Sequence, residues 1–162
     1  MIPHPLADTL LRLCLASVSL TAQAYKSPTA RARYLTKHGN TAALVCLEVA
    51  QRAEGRGLDP LELIAVSHTE SRHTLEIESD AGAVGPLQAL AKYWKRPGDP
   101  DTIEAGLRAW AYYRARSAST REAAGKYNGG GTSSAYARAV EAHREHLARL
   151  ARIYTAHRGG AL

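Results

Sequence analysis

Apolar residues along this chain recur at steps of three and four, and Gly/Pro clusters divide the pattern, so the sequence predicts helices and no convincing strand. Leu6, Leu10, Leu13 and Leu20 share one face of a first helix. A basic connector, YKSPTARARYLTKHGN, carries Arg31, Arg33 and Lys37 to a second helix over about residues 41–54, which stops at Gly55-Arg56-Gly57. Asp59-Pro60-Leu61-Glu62 then reads as a helix start, with Asp as N-cap, Pro in the first turn and Glu at the third position.

Residues 74–100 hold Gly82, Gly85, Pro86, Pro97, Gly98 and Pro100, which predicts a loop with a short helix near residues 87–94. A helix over 102–116 follows, then a glycine-rich loop, GKYNGGGTSS. The last helix, over 135–157, sets Tyr136, Val140, His143, Leu147, Leu150 and Tyr154 in one seam. The fold class is mainly α, with residues 1–40 as an N-terminal helix and basic connector and residues 41–162 as the principal domain.

Composition changes this picture in three places. Phenylalanine is absent, so Leu, Ala, Tyr and two Trp must fill the core. A net charge of +6 with a pI near 9.5 favours acidic partners: nucleic acid, anionic membrane or an anionic glycan. Basic residues spread over several helices without a recognition module argue against nucleic acid. Cys14 and Cys46 have no metal-ligand spacing; Cys46, inside the apolar run TAALVCLEVA, reads as a buried reduced thiol, with a Cys14–Cys46 bridge as the other option.

The segment LLRLCLASVSLTAQA ends in an Ala-x-Ala step at Ala24 and loosely resembles an export signal. Against that, Asp8 precedes it and no Lys or Arg occurs before Arg12. Its apolar run also falls short of the roughly 18 residues a membrane span requires. An amphipathic helix without a stable membrane span is the expectation, and a signal or anchor is the alternative.

Candidate chemistry begins at Glu70. Leu63, Val66 and Glu70 are spaced three and four apart, so a carboxylate leans over the same stripe as two core residues. Burial and the negative end of the helix dipole both disfavour the anion and raise its pKa, the condition for a general acid. The competing reading is a slightly rotated helix with Glu70 solvated and paired to Arg72 or another Arg.

The order of the following motifs decides between them. Glu70-Ser71 is succeeded by Gly82-Ala83-Val84-Gly85-Pro86-Leu87-Gln88 and later by Ala124-Gly125-Lys126-Tyr127-Asn128. This succession resembles the soluble lytic transglycosylases, lysozyme-like enzymes related to goose-type lysozyme, in which a helix-terminal Glu-Ser precedes a Gly-Ala-x-Gly-x-x-Gln loop and an Ala-x-x-Tyr-Asn loop. Two departures stand out. Pro86-Leu87 replaces the usual Leu-Met, and Thr102-Ile103-Glu104-Ala105-Gly106-Leu107-Arg108-Ala109-Trp110 lacks the Asn and Tyr of Asn-Ile-x-x-Gly-x-x-Tyr-Leu.

The resemblance implies a lysozyme-like helical domain that cleaves peptidoglycan glycan strands with Glu70 alone as acid and base, giving 1,6-anhydro ends, without metal or cofactor. It further implies that Tyr127 hydrogen-bonds Glu70, that Gln88 and Asn128 meet sugar amides and hydroxyls, and that Ser71 positions Glu70 or binds the acetamido region. Gly82, Gly85 and Gly129–Gly131 would admit the glycan close to backbone. Asp80 is the second carboxyl that a hydrolytic muramidase would use; Ser-Asp-x-Gly turn chemistry makes it a loop cap instead. His68 and His73 are five apart with no His-Glu-x-x-His, so zinc is not expected. A phage particle is the expected setting, with residues 1–40 contacting virion or secretion-machine proteins; the bacterial periplasm and a non-catalytic assembly role are the alternatives.

Overall fold

A computed structural model describes residues 5–159, with side chains placed from residue 7 to residue 156. The chain runs α1 (Pro5–Gln23), α2 (Pro28–Tyr34), a π-helical turn (Leu35–Gly39), α3 (Asn40–Gly55) and α4 (Pro60–Ser71). A small hairpin of β1 (Ala83–Val84) and β2 (Ala89–Leu90) follows, then α5 (Ala91–Trp94), α6 (Ile103–Arg114), α7 (Thr120–Asn128) and α8 (Ala135–Gly159). The mainly helical class read from periodicity is the class observed. No helix among the described residues is long and apolar enough to cross a membrane.

Local chemistry explains the helix limits. Asp59 Oδ1 accepts from the Leu61 amide at 2.9 Å and Oδ2 accepts from Arg144 of α8 at 2.7 Å, so one cap both starts α4 and ties it to α8. Ser119 Oγ accepts from the Glu122 amide at 3.1 Å to start α7, and Gly129, at φ 78°, ends it. The expected glycine-rich loop is therefore shorter than GKYNGGGTSS suggests: Gly125 to Asn128 are helical. The basic connector is also helical, with Ser27 capping α2.

α4 forms the centre because residues 62–67 are buried all round. Burying each of Leu63, Ile64 and Val66 completely contributes roughly 2 kcal/mol. Glu62 is the exception in kind. It does not return to the helix cap; it is 3% exposed. Its Oε2 accepts from Trp110 Nε1 at 3.1 Å, and its Oε1 accepts from Arg114 Nε at 3.0 Å and Thr120 Oγ1 at 2.6 Å. One carboxylate thus joins α4 to α6 and α7, with its acceptor sites filled by three donors.

The N-terminal helix belongs to the same core. Leu10, Leu13, Cys14, Ser17, Val18 and Thr21 are its buried face, Leu20 is half-buried, and the side chain of Leu6 lies outside the described residues. Leu10, Leu13 and Cys14 pack with Cys46, Ile64 and Leu147. The reduced-thiol expectation is corrected here: Cys14 and Cys46 form a disulfide between α1 and α3. An apolar run hides a thiol equally well alone or paired, so the partner was decided by α1 packing across α3.

Three imidazoles converge beneath α1. Ser17 Oγ lies 2.8 Å from His73 Nε2, 3.0 Å from His143 Nε2 and 3.2 Å from His68 Nδ1. A hydroxyl has one proton and two lone pairs, so it serves all three rings only if one nitrogen accepts and two donate, which neutral tautomers permit. His68 and His143 stack with centroids 4.2 Å apart. Burial, followed by the neighbouring imidazole, lowers His68 to about 3; burial, then His146, lowers His143 to about 4; burial also holds His73 well below its ordinary value. Among the described residues no group of three or more His, Cys, Asp or Glu is arranged to hold a metal ion.

Candidate active site

α4 ends at a left-handed turn in which Arg72 (φ 55°) and His73 (φ 61°) both adopt a conformation that side chains disfavour. His73 is held there from two sides, by Ser17 and by Ser67 Oγ at 2.9 Å from its Nδ1. The turn fixes where α4 stops and leaves Glu70 half-buried on the last turn of the helix. Burial raises the Glu70 pKa above its ordinary 4.5, and the Tyr136 hydroxyl opposes that rise. The direction of this shift agrees with the position of Glu70 over the stripe of Leu63 and Val66.

Two tyrosines face it. Tyr127 stands near the end of α7, where burial and then the Glu70 charge raise its pKa and keep the phenol protonated. Its hydroxyl does not donate to Glu70, the role expected from the sequence; it donates to the Leu87 carbonyl at 2.6 Å. Tyr136, at the start of α8, is the phenol nearest the carboxyl. Its hydroxyl is buried, lacks a partner at ordinary hydrogen-bond geometry among the described residues, and lies close enough to Glu70 for each to shift the other. The seam from Tyr136 to Tyr154 marked this residue as inward-facing but carried no sign of what it would face.

The expected loop is a hairpin whose turn tucks inward. Val84 pairs with Ala89 and Ala83 with Leu90. Leu87 is fully buried against Gly106, where a Cβ would overlap its side chain. Gly85 (φ 71°) faces Thr102 just as closely. Ser71 Oγ donates to the Pro86 carbonyl at 2.9 Å and accepts from the Thr74 amide at 3.1 Å. Ser71 and Tyr127 therefore clamp adjacent carbonyls of one turn. Because backbone oxygens make these bonds, Pro86 and Leu87 take part in them whatever their side chains.

The other candidate residues sit as follows. Gln88 (φ 49°) donates from Nε2 to the Gly85 carbonyl at 2.9 Å, so its amide helps to close the turn. Gly82 (φ 78°) permits the turn that precedes β1, where Ser79 Oγ, and not Asp80, accepts from the Ala83 amide at 3.1 Å. Asp80 is exposed. Asn128 is exposed at the end of α7. Gly125 has no room for a Cβ against the Gly131–Thr132 backbone, and this close crossing is what returns the chain to place Tyr136 beside Glu70.

Tyr136→Phe removes the one group that lowers the Glu70 pKa. The carboxyl is expected to titrate at higher pH in this variant than in the parent, read by NMR of the Glu70 carboxyl carbon. An unchanged midpoint would separate Tyr136 from the site. Comparisons of the chain with family models, curated proteins and solved structures found no match.

Proposed function

We propose that the protein is a peptidoglycan lytic transglycosylase cleaving the glycosidic bond between N-acetylmuramic acid and N-acetylglucosamine. The observation that carries this reading is Glu70 itself: a carboxyl at a helix terminus, raised in pKa by burial, facing two buried phenols and a hairpin turn. Glu70, the hairpin turn and Tyr127 fall in the lytic-transglycosylase-like motifs in order along the sequence, and Tyr136 lies beyond them.

In this reading Glu70 donates its proton to the departing glycosidic oxygen. The resulting carboxylate takes the proton from the muramoyl 6-hydroxyl as that oxygen bonds to the anomeric carbon, leaving a 1,6-anhydro end. The nucleophile is tethered to the reacting sugar, an advantage equivalent to an effective molarity of up to about 10⁵ M or more. Tyr136 orients the carboxyl, while Ser71 and Tyr127 hold the turn against which the glycan lies.

The Cys14–Cys46 bridge supports work outside the reducing cytoplasm, where peptidoglycan lies. A phage particle delivering the enzyme to the wall, or the bacterial periplasm, fits that chemistry. Digestion of purified peptidoglycan followed by mass analysis tests the reaction. Anhydro-ended fragments are expected; fragments heavier by one water would make the protein a muramidase, and no fragments would make it a glycan-binding or assembly component.

A further inference from the structure

The positive charge is segregated. Residues 9–47 carry Arg12, Lys26, Arg31, Arg33 and Lys37 and no acid, against a net charge of +6 for the whole chain. Arg33 of α2 and Lys37 of the π-helical turn line, with Tyr25 and Tyr34, a cavity of about 440 Å³. Neither Arg33 nor Lys37 is paired with an acid among the described residues.

A second cavity, of about 590 Å³ and mainly apolar, begins at Ser71 and Arg72, immediately after Glu70. Both cavities are lined by Tyr25, Tyr34 and His38, so they meet along one aromatic ridge. Tyr25 and Tyr34 stack there with centroids 5.2 Å apart. A trough with apolar walls thus leads from the turn behind the candidate acid to an unpaired basic face. Arg72 stands at its inner end, one guanidinium nitrogen donating to the His68 carbonyl at 2.6 Å. Glu76 is the single acid along the lining of either cavity.

We infer that this trough binds the acidic stem peptide hung from the lactyl group of muramic acid, making residues 25–42 a substrate-specificity element of the enzyme. The inference rests on the reading of the chain as a peptidoglycan-cleaving enzyme. A muramoyl residue held at Glu70 projects its lactyl branch beside the scissile bond. Four extended peptide residues then span at most about 14 Å. Methyl and methylene groups of the stem suit the tyrosine walls, its carboxylates suit Arg33 and Lys37, and Glu76 suits the amine of its dibasic residue. The trough exists only because α1 is docked on the core, through Cys14 and Ser17, which brings Thr21 and Tyr25 opposite Arg72.

The test compares stem-bearing glycan with strands stripped of their peptides by an amidase, using the full chain. The wild type is expected to show the higher kcat/KM on stem-bearing glycan. Arg33→Glu combined with Lys37→Glu is expected to lower that value, through KM, about tenfold more than it lowers the value on stripped strands. Equal losses on both substrates, or no loss, would overturn the proposal. A binding arm keeps this separate from the catalytic reading. Glu70→Gln protein is titrated with muramoyl-tetrapeptide, and weaker binding is expected both in the charge-reversed variant and in higher salt. Binding without any cleavage by the wild type would sink the enzyme and leave the trough as a muropeptide site. Phosphatidylglycerol vesicles captured in place of the muropeptide would overturn the proposal and give the basic face to a membrane.

Discussion

Glu70→Gln is expected to lower glycan cleavage by about a thousandfold or more, because a positioned acid–base group contributes on that scale and this reading assigns both proton transfers to one carboxyl. The same substitution should stabilise the fold, and the sign follows from linkage. Glu70 is held above its ordinary pKa of 4.5, so between that value and its folded value the native state keeps a proton that the unfolded chain has released. The contribution of Glu70 to stability is therefore complete below 4.5 and is lost as pH rises through the folded pKa. Glutamine carries no charge to bury and escapes this loss. The variant should melt above the wild type at neutral pH, with the gap closing as pH falls toward 4.5 in paired calorimetric scans. A solvated surface glutamate would give the opposite record, with activity and melting temperature both nearly unchanged.

Acidification is expected to unfold the protein through the three imidazoles under α1. His68, His73 and His143 are all held below 6.5, to about 3 for His68 and about 4 for His143, chiefly by burial. Their stabilising effect is complete above the unfolded value of 6.5 and is lost as pH falls toward the folded values. Within that window each imidazole costs up to about 1.4 kcal/mol per pH unit. Ser17 cannot absorb the change, since a doubly protonated ring offers donors only and the hydroxyl already mediates among three rings. A charged His68 would also lie stacked on His143, with His146 and Arg72 adding like charge nearby. Urea midpoints should fall steeply between about pH 7 and about pH 5. A flat profile would mean that the imidazoles are solvated and that α1 is not docked as described. The disulfide would keep α1 tethered to α3 during this loss, so a fully acid-loosened chain should still migrate as the oxidised form.

The two effects act on the same turn. His73 occupies its left-handed conformation because Ser17 and Ser67 hold its ring, and that turn sets both the end of α4 and the position of Ser71 against Pro86. The N-terminal helix therefore supports the candidate site from beneath, while the segment after it lines the trough beside it. Within the segment expected from the sequence as an attachment element, Leu10, Leu13 and Cys14 pack into the core, and Thr21, Tyr25, Tyr34 and His38 line the cavity that begins at Ser71.

What could be read directly from the residues is what operates within about one helical turn. The three-and-four spacing marks helices, Asp59-Pro60 starts α4 by a bond to a neighbouring amide, and the position of Glu70 over Leu63 and Val66 predicts a desolvated carboxyl. Only the tertiary structure decided the partners. Glu62 had the spacing of a capping residue and became a buried link to Trp110 and Arg114, and Tyr136 had the spacing of a core residue and became the phenol facing Glu70. Tyr127, expected on Glu70, went to Leu87; Cys14 met Cys46; and Ser17 met His73 and His143. Periodicity records which side of a helix avoids water, because that depends on the rotation between neighbouring residues. It holds no record of which distant helix will cover that side, because that depends on how all the helices pack at once.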